Sequence, residues 1–292
     1  MTEYDKNVDF IIFGDGITSD VLSLVLKNSG KQFYVLGDDN IDQSPKSPRS
    51  LALSPSSMNL LNFFGINFPV EELKKMKVYE SDLSNEKTKS ELIFDNEKTL
   101  SFVTKYYDLK KSLSKKTKND KRKIESKNFK SIELDKNYIK LFLKGGKKIC
   151  AKNIIFTQKI ESSLHSQLNL SYEEKNYNQK AIVATLKHKT PHNGIAYQFY
   201  DNGKPLALLP LTKDNSFFRS SLIWSLDNYL ADDILSNDDL REILNIKLGA
   251  LFKNIKISEG PISFELDKFL LKGKPDIRLI FIGDSVRMMH PM

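Results

Sequence analysis

Residues 9–36 constrain this chain more than any other stretch. The apolar run Asp9-Phe10-Ile11-Ile12-Phe13 meets Gly14-Asp15-Gly16, an apolar-periodic segment runs from Ile17 to Asn28, and Gly30 stops it. A second apolar run, Phe33 to Leu36, follows at once. The order is strand, tight turn, helix, strand: a βαβ unit, with the strand periods and glycine stop that such a unit requires. Two glycines one residue apart at a strand-to-helix turn let backbone amides approach a diphosphate at the positive end of the helix. The third small position of that fingerprint is Ser19, compact enough for close packing of helix on strand.

The chain has 292 residues, enough for one large or two interleaved domains, and 40% of them are hydrophobic. No apolar run approaches the roughly 18–20 residues of a membrane span. Nothing near Met1 reads as an export signal, and a single cysteine, Cys150, excludes an intramolecular disulfide or a cysteine metal cluster. The expected compartment is therefore the cytoplasm. His165, His188, His192 and His290 are scattered without ligand spacing, so no metal site is expected. The net charge of +8 is local: residues 105–130 carry eleven Lys or Arg against three acids. That excludes a pervasive nucleic-acid footprint. The plain reading of 105–130 is a solvated helix face, and the functional one is attraction to an anionic membrane surface.

Along the chain, Leu51-Ala52-Leu53 reads as a strand, followed by a helix with Ser54 at its N-cap, Pro55 at its first position and Gly65 as its stop. Residues 76–80 and 91–94 read as short strands, and 106–118 as a basic helix carrying Leu109 and Leu113. The stretch on to Lys130 reads as loop. Strands at 131–134, 138–143 and 153–156 follow. From Ala181 the character turns to antiparallel strands, 181–186, 194–199, 207–210 and 217–226, then one helix over 236–252. The apolar run Leu279-Ile280-Phe281-Ile282 ends in Gly283-Asp284. An acid at the end of a buried strand sits where open α/β sheets bind ligands, although Asp is equally a helix N-cap. After Leu36 the position of a ribose-binding acid holds Gly37, with Asp38 and Asp39 next, and either could reach a ribose or close a turn.

Several blocks occur in one order: Gly14-Asp15-Gly16, Arg49-Ser50-Leu51-Ala52-Leu53-Ser54-Pro55, Tyr177-Asn178-Gln179-Lys180-Ala181, Ala207-Leu208-Leu209-Pro210-Leu211, and Gly283-Asp284-Ser285-Val286-Arg287-Met288-Met289-His290-Pro291. Together they resemble the ubiquinone-biosynthesis hydroxylases, a branch of the FAD-dependent aromatic hydroxylases with the fold of para-hydroxybenzoate hydroxylase. The resemblance implies an α/β fold. A Rossmann-like FAD-binding domain of the glutathione-reductase type would comprise 1–75, 100–170 and 276–292, interleaved with a mostly antiparallel substrate domain over 76–99 and 171–275. It places Gly14, Gly16, Ile17 and Ser19 at the FAD pyrophosphate, with Asp38 a cofactor-binding candidate from the residues themselves. Arg49 falls near the phosphates, Gly283 and Asp284 at the ribityl chain, and Pro291 beside the flavin ring. It implies NAD(P)H and O2 as co-substrates, a polyprenyl phenol as the molecule hydroxylated, and a position on the inner face of the membrane. No side chain stands out as an essential acid or base.

Three departures qualify the resemblance. The family's Asp-Gly pair after the strand at 153–156 is replaced within Thr157-Gln158-Lys159, the acid after Leu36 is missing, and the chain stops at Met292, where the family continues with a glycine-rich turn and a long helix. A C-terminally truncated hydroxylase is one expectation. The other is a catalytically inactive, drifted or fragmentary relative serving as a binding or scaffold subunit of a quinone-synthesis complex.

Overall fold

The computed structural model describes residues 7–38, 46–82, 87–95, 98–117, 122–201 and 203–289; Asp39, His290 and Pro291 lie outside them. The chain begins β1 (Asn7–Phe13), α1 (Ile17–Asn28), β2 (Phe33–Leu36), β3 (Ser50–Leu53), α2 (Pro55–Phe63), β4 (Glu71–Leu73), β5 (Lys75–Asp82), β6 (Lys87–Asp95) and β7 (Ser101–Lys105). It continues α3 (Tyr106–Thr117), β8 (Lys123–Ile124), β9 (Phe129–Leu134), β10 (Ile139–Leu143), β11 (Lys148–Phe156), α4 (Ser162–Leu168), β12 (Ser171–His188) and β13 (Ile195–Asp201). The last part runs β14 (Lys204–Asp214), β15 (Phe217–Asp227), α5 (Asn228–Ser236), α6 (Leu240–Leu248), β16 (Lys256–Lys272), β17 (Leu279–Phe281) and β18 (Arg287–Met288). Two compact units result, the first from 1–42, 113–175 and 267–291, the second from 43–112 and 176–266.

The first unit is built on the sheet β8-β2-β1-β11-β10-β9. β8, β2, β1 and β11 run parallel, and β17 joins the C-terminal half of β11, also parallel, while β10 pairs antiparallel with its N-terminal half. Alternation along the strands divides the core. Ile12 packs with Phe33 and Leu26 under α1, with Phe10, Leu22 and Val35 against them. Ile11, Leu36, Ile139, Leu141, Ile154 and Phe156 fill a larger cluster with Leu164 and Leu168 of α4. Each fully buried Ile, Leu or Phe contributes roughly 1.5–3 kcal/mol, so the two-sided burial of β1 and β11 specifies their register strongly.

The second unit holds the sheet β16-β12-β15-β14-β13-β5-β6, in which β12-β15, β15-β14, β14-β13 and β5-β6 pair antiparallel and β13 meets β5 in parallel, and a small sheet β3-β7-β4. Ile182, Ala184, Leu186, Leu206, Leu208, Leu222 and Trp224 project from one face of the large sheet onto Ala231, Leu240, Leu244 and Leu248 of α5 and α6. The sequence division placed 43–75 and 100–112 with the dinucleotide-binding half. They cluster instead with the second unit, because the small sheet is tied there. Ser50 Oγ donates to Ser221 Oγ at 2.7 Å, Lys105 Nζ pairs with Glu259 at 2.7 Å, and Lys74 N–H donates to Gly194 O at 2.8 Å.

Two local expectations are corrected, and one long strand falls where none was read. The single helix over 236–252 is two helices. α5 starts already at Asn228, and the break at Asn237, Asp238 and Asp239 includes Asp238 at φ +57°, outside the helical region. The stretch before Lys130 is not all loop, since Lys123 and Ile124 pair with Val35 and Leu36. β16 is a 17-residue strand through Gly260-Pro261, which conceals it from any reading by apolar runs. Helix α3 buries Leu109 and Leu113 as expected, but it also buries Lys110, and Lys105 just before it is engaged with Glu259. The exposed cations on α3 are Lys111, Lys115 and Lys116. Among the described residues, no helix is long and apolar enough to cross a membrane.

His188 in β12 is fully buried. Its Nδ1 donates to Thr190 O at 2.7 Å, its Nε2 accepts from Ser220 Oγ at 2.9 Å, and its ring stacks on Phe252 at 4.0 Å. Burial pushes its pKa down to about 4, so the imidazole is neutral in the fold. Because the folded value lies below the unfolded 6.5, this contribution is fully present above pH 6.5 and is lost as pH falls toward 4, up to about 3 kcal/mol. Urea unfolding of native chain and His188→Gln from pH 7 to pH 4 should therefore converge at low pH. Parallel curves would contradict a neutral buried imidazole.

Candidate functional site

Parallel strands end at one edge, and in the first unit that edge is stitched by a row of backbone bonds. Gly37 N–H donates to Ile124 O at 3.0 Å, Gly14 N–H to Leu36 O at 2.9 Å, Thr157 N–H to Phe13 O at 3.0 Å and Ile282 N–H to Phe156 O at 3.0 Å. The four segments that leave these strands are therefore neighbours: Gly14 to Ser19, Gly37-Asp38, Thr157-Gln158-Lys159 and Gly283-Asp284. This is the edge where open α/β sheets bind ligands.

Gly14 has φ +139°, and a Cβ there would lie 2.1 Å from Thr157 Oγ1 and 3.3 Å from Gln158 Oε1. Thr157 Oγ1 also reaches Phe13 O at 3.2 Å, so it cannot simply swing away. Gly16 occupies the N-cap of α1 in an extended conformation, with no heavy atom within 4 Å of a Cβ built on it. The first bond inside the helix runs from Asp20 N–H to Gly16 O at 3.1 Å. That leaves the amides of Ile17, Thr18 and Ser19 without intrahelical partners, at the positive end of a 12-residue helix. Ser19 is buried at 1% exposure, and its Oγ has no hydrogen-bond partner among the described residues.

Opposite the helix start, Gly283 turns with φ +59°, and a Cβ on it would lie 3.8 Å from Thr18 Oγ1. Asp284 follows with its side chain exposed. The missing acid after Leu36 has a steric cause: a Cβ at Gly37 would lie 2.7 Å from Gly14 O and 2.9 Å from Asp15 Cβ. Asp38 is the first position able to carry an acid, and its Oδ1 accepts the Ser126 N–H at 2.9 Å. Where the resemblance expects Asp-Gly, Gln158 is exposed and Lys159 is committed to Glu174 at 2.8 Å, with its Nζ over the rings of Tyr172 and Phe269. Arg49 belongs to the second unit. Its guanidinium lies 4.5 Å from the Tyr106 ring and 5.6 Å from that of Phe264.

The structure thus brings Gly14, Gly16, Ile17, Ser19, Asp38, Gly283 and Asp284 to one edge of one unit. Free amides at a helix start, an open glycine and an exposed carboxylate on the facing turn can hold a diphosphate at one end of a ligand and hydroxyls further along it.

No family model matches the chain. It is 24% identical over 265 residues to the mitochondrial ubiquinone biosynthesis monooxygenase COQ6 of Danio rerio, covering 82% of this chain and 53% of that protein. It is 23% identical over 164 residues to the ubiquinone hydroxylase UbiL of Rhodospirillum rubrum, covering 56% of this chain and 37% of that one. The chain is thus similar in sequence to ubiquinone-biosynthesis hydroxylases. It spans about half the length of the first of these relatives and less of the second. Among solved structures, p-nitrophenol 4-monooxygenase PnpA from Pseudomonas putida superposes with a TM-score of 0.72 at 15% identity, covering 98% of this chain and 75% of that one. PqsL of Pseudomonas aeruginosa, a probable FAD-dependent monooxygenase, gives 0.71 at 15% identity, with 98% and 80% covered. The fold of the chain is therefore the mixed α/β fold of the FAD-dependent monooxygenases of the para-hydroxybenzoate hydroxylase type.

Gly14→Ala should cost about 2–4 kcal/mol in urea unfolding, from the left-handed φ and the contact with Thr157. Adding Thr157→Ala should recover about 1 kcal/mol in a double-mutant cycle. Strict additivity would mean that Thr157 is not what confines residue 14.

Proposed function

We propose that this chain is the FAD-binding core of an aromatic-ring hydroxylase of ubiquinone biosynthesis, acting on a polyprenyl phenol with NAD(P)H and O2. The observation that carries the proposal is the stitched C-terminal edge of the first unit, where the Gly283-Asp284 turn faces the start of α1 and a Cβ built on Gly283 would lie 3.8 Å from Thr18 Oγ1. The names of the relatives, ubiquinone biosynthesis monooxygenase and ubiquinone hydroxylase, support the substrate class. FAD, when bound, supplies the redox chemistry and the activation of O2, and the protein's part is binding, orientation and exclusion of water.

The residues have separate tasks in this reading. The amides of Ile17, Thr18 and Ser19 hold the pyrophosphate, and Gly16 leaves its approach open. The carboxylate of Asp284 accepts hydrogen bonds from ribityl hydroxyls, and the free oxygen of Asp38 accepts from the ribose. From the resemblance, Arg49 serves a phosphate and Pro291 borders the ring. Within 105–130, the exposed Lys111, Lys115, Lys116, Lys127 and Lys130 are cations available for an anionic membrane surface, on the cytoplasmic face where a polyprenylated substrate resides.

A second reading, a non-catalytic binding subunit of a quinone-synthesis complex, draws on one observation. Gln158 and Lys159 stand where the resemblance expects Asp-Gly, and Lys159 is spent on Glu174. The two readings part in a cuvette. A hydroxylase core takes up FAD with a bound-flavin absorbance that bleaches anaerobically with NADPH, and Asp284→Asn weakens FAD binding about tenfold. A chain that gains no flavin absorbance when FAD is added contradicts the proposal. Bleaching that appears only after Gln158→Asp with Lys159→Gly identifies the native chain as the non-catalytic relative.

A further inference from the structure

Tyr172, near the start of β12 and within the first unit, belongs to none of the sequence blocks that mark the site, yet it joins two of the segments there. Its hydroxyl accepts the Ile160 N–H at 3.3 Å and donates to Ser285 O at 2.8 Å. Ile160 closes the loop Thr157-Gln158-Lys159, and Ser285 directly follows Gly283-Asp284. Ser285 is itself buried, with its Oγ 2.8 Å from Phe156 O and 2.9 Å from Ile282 O. The Gly283–Ser285 turn is therefore held from one side by the end of β11 and from the other by the tyrosine. The ring cannot drift: Phe269 meets it edge-on at 5.3 Å, His165 lies at 5.3 Å, and Lys159, pinned by Glu174, covers it. Burial raises the Tyr172 pKa, so the hydroxyl keeps the proton it donates at neutral pH.

We infer that Tyr172 is a positioning residue of the flavin site, setting the Gly283-Asp284 turn against the loop after β11 so that Asp284 meets the ribityl chain. The inference rests on the flavin reading above. Phenylalanine at this position would keep the packing and lose only the hydroxyl, leaving the Ile160 N–H and the Ser285 carbonyl without this partner. The turn would then be free to shift while α1 and its amides stay in place. The consequence is selective. A ligand that needs only the helix start should not notice the change, and one that also needs the turn should.

The experiment compares native chain with Tyr172→Phe in FAD and ADP titrations, with amide exchange of both unliganded proteins. The expected result is an FAD Kd raised about tenfold, the worth of one hydrogen bond, with the ADP Kd unchanged within about twofold. Faster exchange should be confined to Ile160 and 283–286. Equal FAD affinity in both proteins overturns the inference while leaving the flavin reading intact. Equal loss for FAD and ADP, with exchange faster throughout the sheet, also overturns it, since that is a structural role. A native chain that binds ADP but not FAD overturns the flavin reading, and this role with it.

Discussion

The arrangement of this molecule depends on one row of backbone hydrogen bonds at the C-terminal edge of a parallel sheet. Leu36 O receives Gly14, Phe13 O receives Thr157, and Phe156 O receives Ile282. Each bond alone contributes only about 1 kcal/mol net. Their effect is geometric, because they bring segments separated by more than two hundred residues to a common edge and fix their heights. Steric limits follow from that closeness. Gly14 has no room for a side chain because Thr157 is stitched beside it, and Gly37 has none because Gly14 is. At these two positions the edge is bare backbone because the neighbouring atoms leave no room for a side chain.

Much of this was legible in the sequence, and for a physical reason. β1 and α1 are local, with the period of each written in apolar residues and their junction marked by Gly14, whose positive φ disfavours a side chain. Gly283-Asp284 was legible because a fully apolar run ended at it. What was hidden depends on long-range pairing. β8 exists only because β2 offers it an edge, and two residues carry no period. β16 is a strand because its neighbours hold it so, through a Gly-Pro that reads as a turn. The helix expected over 236–252 is broken at residues whose side chains favour left-handed turns, and its true beginning at Asn228 lay behind the end of a strand. Tyr172 was invisible for a different reason. An isolated tyrosine shows its role only when both partners of its hydroxyl are known, and Ile160 and Ser285 are far apart in the chain.

The departures from the family pattern now have physical content. The acid absent after Leu36 is excluded by Gly14 O, so that departure belongs to the packing of this turn. No comparable steric demand accounts for Lys159. Its ammonium forms a salt bridge with Glu174 and lies over Tyr172 and Phe269, so the loop after β11 gains a surface contact where the pattern has close backbone approach. An exposed pair of this kind contributes at most about 1 kcal/mol, which is little reason to keep it for stability.

A crystal structure of the chain with FAD tests the central claim most directly. The expected density has the pyrophosphate within hydrogen-bonding distance of the amides of Ile17 and Thr18, and ribityl hydroxyls on the Asp284 carboxylate. A flavin seated away from the C-terminal edge of the first unit, or none at saturating concentration, would contradict it.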